Sequence, residues 1–334
     1  MKSLFRFLLL IGVGYVIYII LFGTPQISEP RRMEIPRGAG VKEIAETLKE
    51  ANLIRSRFGF ETLVWLRRAG SRLQAGEYTF QPSMSLTDIV RMLTRGLGAV
   101  NERELTIVEG WTAQEVADYL EAQGFARKQE FMSIAGSSST RQRLDITGFG
   151  FLRDKPDGVG LEGYLFPDTY RVFRDANTEA IARRMLENFS SKLTAEMQAD
   201  ITSQGKTIFD IVRMASIVEA EVPHEEDRPI ISGILWKRLD AGMALQVDST
   251  LNYAIDGRNS ALTSQQLQID SPYNTYKYRG LPPTPIGNPG LSAIRAAIYP
   301  RHTAYWYFLS GKDGTTYFAK TLDEHNINKA KYLR

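Results

Sequence analysis

The stretch Ile208–Tyr253, IFDIVRMASIVEAEVPHEEDRPIISGILWKRLDAGMALQVDSTLNY, constrains this chain more than any other. Ile211, Ala215, Val218 and Val222 recur at four, three and four residues, so Ile208–Val222 is predicted to be a helix with an apolar stripe. Pro223 cannot continue that helix and biases Val222 away from helical geometry. Two carboxylates, Glu219 and Glu221, fall in its last turn. At 100° per residue they point about 200° apart and cannot work as a close pair. Glu219 shares its side with Val212, Ala215 and Ser216; Glu221 shares its side with Met214 and Ile217. A carboxyl with apolar neighbours, near the negative end of a helix dipole, holds its proton more tightly, which suits a general acid. The plainer alternative is that both are surface glutamates at a helix end.

The 334 residues have room for two or three domains. A net charge of +3, from 41 basic and 38 acidic residues, gives no sign of a nucleic-acid partner. The absence of cysteine excludes disulfides, thiolate metal sites and a lipid attached through an N-terminal cysteine. Leu4–Phe22, LFRFLLLIGVGYVIYIILF, is apolar except for Arg6. As a helix these 19 residues would span about 28 Å, near the hydrocarbon thickness of a bilayer. Lys2 and Arg6 at its start predict a retained anchor with the N-terminus in the cytoplasm and the rest exported. A cleaved signal peptide competes, but the apolar run is long for one and Gly23–Thr24–Pro25 is a poor cleavage site. The division expected is an anchor and linker (1–32), a repeat region (33–125), a hinge (126–160) and a catalytic domain (161–334).

MEIPRGAGVKEIAETL, YTFQPSMSLTDIVRML and LTIVEGWTAQEVADYL form an internal repeat. It aligns Ile35, Phe80 and Ile107, then Ile44, Ile89 and Val116, then Leu48, Leu93 and Leu120. Each copy reads as a strand, a turn and a helix starting two or three residues before an acidic residue. With Arg57–Ala69 as a further helix, Met33–Phe80 takes a strand–helix–helix–strand order that resembles a LysM-type module, a small fold used to bind N-acetylglucosamine polymers. A spacer standing the rest of the chain off the membrane fits the same pattern.

Gly136–Gly160 has no sustained period and reads as a loop or hinge. LEGYLFPDTY (Leu161–Tyr170) sets Glu162 and Asp168 among Tyr164, Phe166 and Tyr170, a mixture that suits sugar rings or a capped core strand. Thr178–Gln204 and Glu225–Asp240 read as helices, the latter ended by Gly242. LQVDSTLNY offers Gln246, Asp248 and Asn252. Ser271–Gly290 carries five prolines and cannot hold regular structure for long, so it is expected to line a cleft. Ala304–Leu309 and Thr316–Ala319 read as a hairpin, with Trp306 in the core. There is no phosphate-binding or dinucleotide fingerprint and no G-x-S-x-G elbow. His224, His302 and His325 show no metal-ligand spacing, so neither a metal nor a cofactor is expected.

ASIVEAE (Ala215–Glu221), LQVDSTLNYA (Leu245–Ala254), SPYNTYKYRGLPPTPIGNPG (Ser271–Gly290) and LEGYLFPDTY together resemble the endolytic murein transglycosylases, the MltG/YceG-like family. The resemblance covers nearly the whole chain. It implies an α+β fold: an N-terminal transmembrane helix, a small LysM-like βααβ module and a larger α+β catalytic domain. It also implies that Glu221 is the essential glutamate. Ala220 and Val222 stand where the family more often has Lys and Thr, which makes the surroundings more apolar. The implied reaction is lytic transglycosylation of the N-acetylmuramic acid–N-acetylglucosamine bond, leaving 1,6-anhydro ends. Candidate substrate contacts are Gln246, Asp248, Tyr273, Asn274, Tyr276, Glu162 and Asp168. Implied partners are peptidoglycan glycan strands, the inner membrane and the peptidoglycan synthases (penicillin-binding proteins). The competing class is a membrane-anchored peptidoglycan-binding or scaffold protein that holds glycan without cutting it.

Overall fold

The computed structural model describes residues 27, 29–82, 84–96, 102–136, 148–173, 176–222, 224–255 and 262–333. The apolar stretch Leu4–Phe22 and Pro223 lie outside these residues. Among the described residues no helix is long and apolar enough to cross a membrane. The chain divides into two compact units, Met1–Arg103 and Glu104–Arg334. Both mix helices with two-stranded sheets, as an α+β protein does.

In the first unit the order is β1 (Arg31–Ile35), α1 (Val41–Glu50), α2 (Arg57–Leu66), β2 (Gly76–Phe80) and α3 (Leu86–Arg95). β1 and β2 pair antiparallel, Arg31 opposite Phe80 and Ile35 opposite Gly76. Two of the three helices begin on a side-chain cap; α1 follows Gly40 without one. Ser56 caps α2 by accepting from the Gly59 N–H, and Ser85 with Asp88 forms a capping box on α3. Ile44, Leu48, Ile89 and Leu93, the apolar positions of the first two repeat copies, are all buried.

The third copy folds into the other unit. β3 (Glu102–Thr106) leads to α4 (Ala113–Ala122), whose Val116 and Leu120 pack in one core with Leu105, Phe131 and Phe151. The two compact units therefore divide between residues 103 and 104. Repeat pattern reports which faces are apolar, not which core they join. In the described part of Gly136–Gly160, expected to be a loop or hinge, Phe151 and Leu152 are buried, and the Phe151 and Phe189 ring centres lie 4.8 Å apart.

The rest of the second unit is α5 (Lys128–Ala135), β4 (Thr169–Phe173, paired with β3), α6 (Thr178–Lys192), α7 (Ala195–Ser203), α8 (Ile208–Glu221), α9 (Arg228–Asp240), α10 (Asp248–Ala254), α11 (Leu291–Ile298), β5 (Tyr307–Ser310), β6 (Thr316–Ala319) and α12 (Leu322–Tyr332). The single helix expected over Thr178–Gln204 is two, since Thr194 caps a new helix by accepting from the Met197 N–H. α9 ends as its sequence suggests: Gly242 adopts φ +65° and Met243 N–H reaches back to the Arg238 carbonyl.

α8 is the centre of this unit. Ile211, Val212, Met214, Ala215, Ile217 and Val218 are fully buried, so apolar packing surrounds the helix instead of following one stripe. It packs chiefly against α11 and α9. Thr207 and Asp210 form a capping box at its start. At its end Val222 is extended (φ −131°, ψ 107°), as suits a residue that precedes a proline.

Candidate active site

The last turn of α8 delivers its two glutamates to different places. Glu219 turns inward: Arg228 Nη2 lies 2.5 Å from its Oε1, and Gly290 N–H donates to its Oε2 at 2.9 Å. Both side chains of the pair are over nine-tenths buried. Burial raises the Glu219 pKa against the opposing pulls of the Gly290 N–H and the Arg228 charge. This carboxylate ties α8 to the starts of α9 and α11.

Glu221 opens onto a cavity of about 620 Å³. α8 supplies Glu221, α9 supplies Arg238, and Gln246, Asp248, Ser249 and Asn252 come from α10 and the irregular segment before it. Tyr276 comes from the proline-rich loop, and β5 and α12 close the far side. Ser249 N–H donates to Glu221 Oε1 at 3.2 Å. Desolvation raises the Glu221 pKa most, and the nearby Asp248 charge raises it further; the hydrogen bonds from Ser249 pull it down. Burial and the Asp248 charge thus favour the protonated form of a carboxyl that lines the cavity. That is the state a general acid needs.

Asp248 does not stand free beside it. Its Oδ1 accepts from the Tyr276 hydroxyl at 2.5 Å. Burial first, then this bond and the Asp248 charge, keep the Tyr276 hydroxyl protonated. Gln246 is exposed at the cavity wall with φ +53°, a costly conformation for a residue with a side chain. Its N–H donates to the Thr275 carbonyl at 3.1 Å, and Val247 N–H donates to Thr275 Oγ1 at 3.1 Å. These bonds hold the approach to α10 against the proline-rich loop and so set where Asp248 and Ser249 meet Glu221.

The other sequence candidates are elsewhere. Asn274 is fully buried, donating to the Leu267 and Ile269 carbonyls and accepting from Tyr276 N–H, so it shapes the loop from inside. Tyr273 packs on Tyr253 with ring centres 5.4 Å apart and shares a hydrogen bond with Thr284. Glu162 is buried and accepts from Ala113 N–H at 2.9 Å, Asn288 Nδ2 at 3.1 Å and the Tyr253 hydroxyl at 3.2 Å. Desolvation pushes its pKa up to about 7 in spite of those donors. It joins LEGYLFPDTY to the start of α4 and to Asn288, and it does not line the cavity. Asp168 is exposed, bonded to Asn188.

Several cavity residues were not singled out from the sequence. Ser249 directly follows Asp248 in the sequence LQVDSTLNYA, so adjacency to that candidate was the signal for it. Arg238 is buried under the floor, bonded to the Leu245 and Trp306 carbonyls. His325, Asn326 and Lys329 arrive on α12. The His325 ring stacks on Tyr307 at 5.3 Å, and burial, then Lys329 and Arg238, lower its pKa. Among the described residues no group of His, Asp and Glu side chains could hold a metal ion.

The profile of the YceG-like family matches residues 33–331. An endolytic murein transglycosylase of Bacillus subtilis is 34% identical over 307 residues, covering 90% of this chain and 84% of that one. One from Streptococcus pneumoniae strain D39 is 30% identical, covering 90% of this chain and 58% of that one. The crystal structure of a yceG-like protein from Listeria monocytogenes superposes with a TM-score of 0.61 at 33% identity, covering 90% of this chain and 99% of that one.

Proposed function

The chain belongs to the YceG-like family, and from that membership we propose that it is an endolytic murein transglycosylase with Glu221 as its acid and base. The observation that carries the assignment is one carboxyl, its pKa raised by burial, at the end of a buried helix and lining a cavity large enough for sugar units. A hydrolytic glycosidase needs a second free carboxylate across the scissile bond. Here the nearest, Asp248, is engaged by Tyr276.

Glu221 gives its proton to the glycosidic oxygen as the bond from C1 of N-acetylmuramic acid to that oxygen breaks. The C6 hydroxyl of the same sugar attacks C1, and the Glu221 carboxylate takes up its proton. One C–O bond breaks, one forms, the proton returns to Glu221 and no water is consumed. Ser249 N–H holds Oε1 while the carboxylate exists. The Asp248 charge, after burial, raises the Glu221 pKa and so favours its protonated form beforehand. Gln246, exposed at the cavity wall, supplies hydrogen bonds to N-acetyl groups.

The finer parts of the proposal concern location. Leu4–Phe22 anchors the chain in the cytoplasmic membrane with its N-terminus inside, supported by its apolar length and the positive charges before it. The second unit then works outside, on nascent glycan beside the peptidoglycan synthases. The βααβ unit resembles a LysM module in element order, and it either grips glycan or spaces the catalytic unit from the bilayer.

Turnover of purified sacculi by wild type and Glu221→Gln tests the enzyme reading. Soluble muropeptides should appear with wild type only, while both proteins sediment with sacculi. No release by wild type would leave a protein that binds murein without cutting it.

A further inference from the structure

Helix α2 is apolar on two opposite faces. Phe60, Leu63 and Val64 are buried in the core of the first unit. At 100° per residue Phe58 and Trp65 point away from that core, only 20° apart, with Thr62 and Leu66 beside them. Phe58 is 59% exposed, Trp65 77% and Leu66 57%. A helix on a soluble protein carries charge on such a face, and grouped large apolar side chains there mark an interaction surface. The exposed arginines Arg55, Arg67, Arg68 and Arg72 lie around this helix together with Arg57, which pairs with Glu46 of α1; the same stretch holds one acidic residue, Glu61.

We propose that the Phe58–Trp65–Leu66 face docks on the anionic lipid surface of the membrane in which Leu4–Phe22 is anchored, an inference that rests on the anchor reading above. The chain itself brings the two together. Eight residues separate Phe22 from β1, and fully extended they reach about 27 Å. The first unit is thereby confined near the bilayer at high effective concentration. Trp and Phe settle at the headgroup level, Leu66 enters the acyl boundary, and the arginines meet lipid phosphates. Glycan is the rival occupant, because a hollow of about 600 Å³ beside Trp65 is lined by Glu61 and Arg68 as well as Val41 and Val64. The outward-pointing Phe58 and the excess of arginine favour lipid.

The absence of cysteine among these 334 residues allows a unique probe in the whole chain. Thr62→Cys places a nitroxide in the middle of the face while keeping Phe58, Trp65 and Leu66. In phosphatidylglycerol vesicles this label should collide more with oxygen than with a water-soluble nickel chelate. A label at the exposed Glu77→Cys on β2 should show the reverse. Adding Phe58→Ser and Trp65→Ser should return the Thr62→Cys label to water. Protein that floats with the vesicles but keeps its Thr62→Cys label aqueous would overturn the docking proposal alone. Protection of that label by soluble glycan strands, and not by vesicles, would assign the face to glycan. Protein that fails to float at all would overturn the anchor reading and the proposal with it.

Discussion

Glu219→Gln is expected to weaken the fold and spare the chemistry, although Glu219 is only two residues from Glu221. The Glu219–Arg228 pair is 2.5 Å apart with side chains 7% and 6% exposed, so neither partner has water to fall back on. Removing one partner of a buried pair costs about 3–5 kcal/mol, which is the expectation for Glu219→Ala. Gln keeps the volume and one acceptor for the Gly290 N–H but loses the charge facing Arg228. Glu109, 3.9 Å from Arg228 Nη1 and half exposed, compensates in part. A loss of about 2–3 kcal/mol follows for Glu219→Gln. With a urea dependence of about 2–3 kcal/mol per molar for a unit of this size, the midpoint should fall by about 1 M. Urea titrations followed by circular dichroism read that shift, and sacculus turnover well below the midpoint should stay close to wild type. Turnover as low as that of Glu221→Gln, with an unmoved midpoint, would refute the division of labour between the two helix faces.

Glu162 gives a pH dependence of stability. Its folded pKa of about 7 lies above the ordinary 4.5, so the stability it lends is full below 4.5 and is lost as pH rises through 7. The loss amounts to about 3 kcal/mol, so the drop in urea midpoint between about pH 5 and about pH 8.5 should shrink in Glu162→Gln; an unchanged drop contradicts the buried-acid account. Asp248→Asn removes a charge that raises the Glu221 pKa, so the alkaline limb of kcat/KM should move to lower pH with activity remaining on the acid side. Loss of activity at every pH would instead make Asp248 a reacting group. Gly163 has φ +87°, and a Cβ there would lie 2.5 Å from Val212 Cγ1 and 2.6 Å from Pro285 Cβ. Gly163→Ala should therefore cost about 1–3 kcal/mol or more in a thermal or urea melt, and a neutral result would mean that the contact yields.

The helices were legible where one physical signal dominated. Period and proline placed the end of α8, and angular spacing alone separated Glu219 from Glu221. Acidic residues two positions into α1, α3 and α4 marked the starts of those helices. What stayed hidden depends on contacts distant in sequence. Asn274 and Glu162 look like exposed polar groups in a motif, yet each is drawn inward by partners that no local pattern announces: loop carbonyls for one, Ala113 and Asn288 for the other. The break before Thr194 has no Gly or Pro to mark it. α12 carries His325 and Lys329 to the cavity from more than 100 residues beyond Glu221, and only tertiary packing brings them there.

Mass spectrometry of the reducing ends released from sacculi tests the central claim most directly. With one carboxyl and the sugar's own hydroxyl as nucleophile, wild type should yield only 1,6-anhydro-N-acetylmuramic acid ends, each lighter by one water than a hydrolysed end. Glu221→Gln should reduce their formation by about 10²–10⁴-fold while folding and sacculus binding persist. Hydrated reducing ends from the wild-type protein, or Glu221→Gln releasing anhydro ends at the wild-type rate, would contradict it.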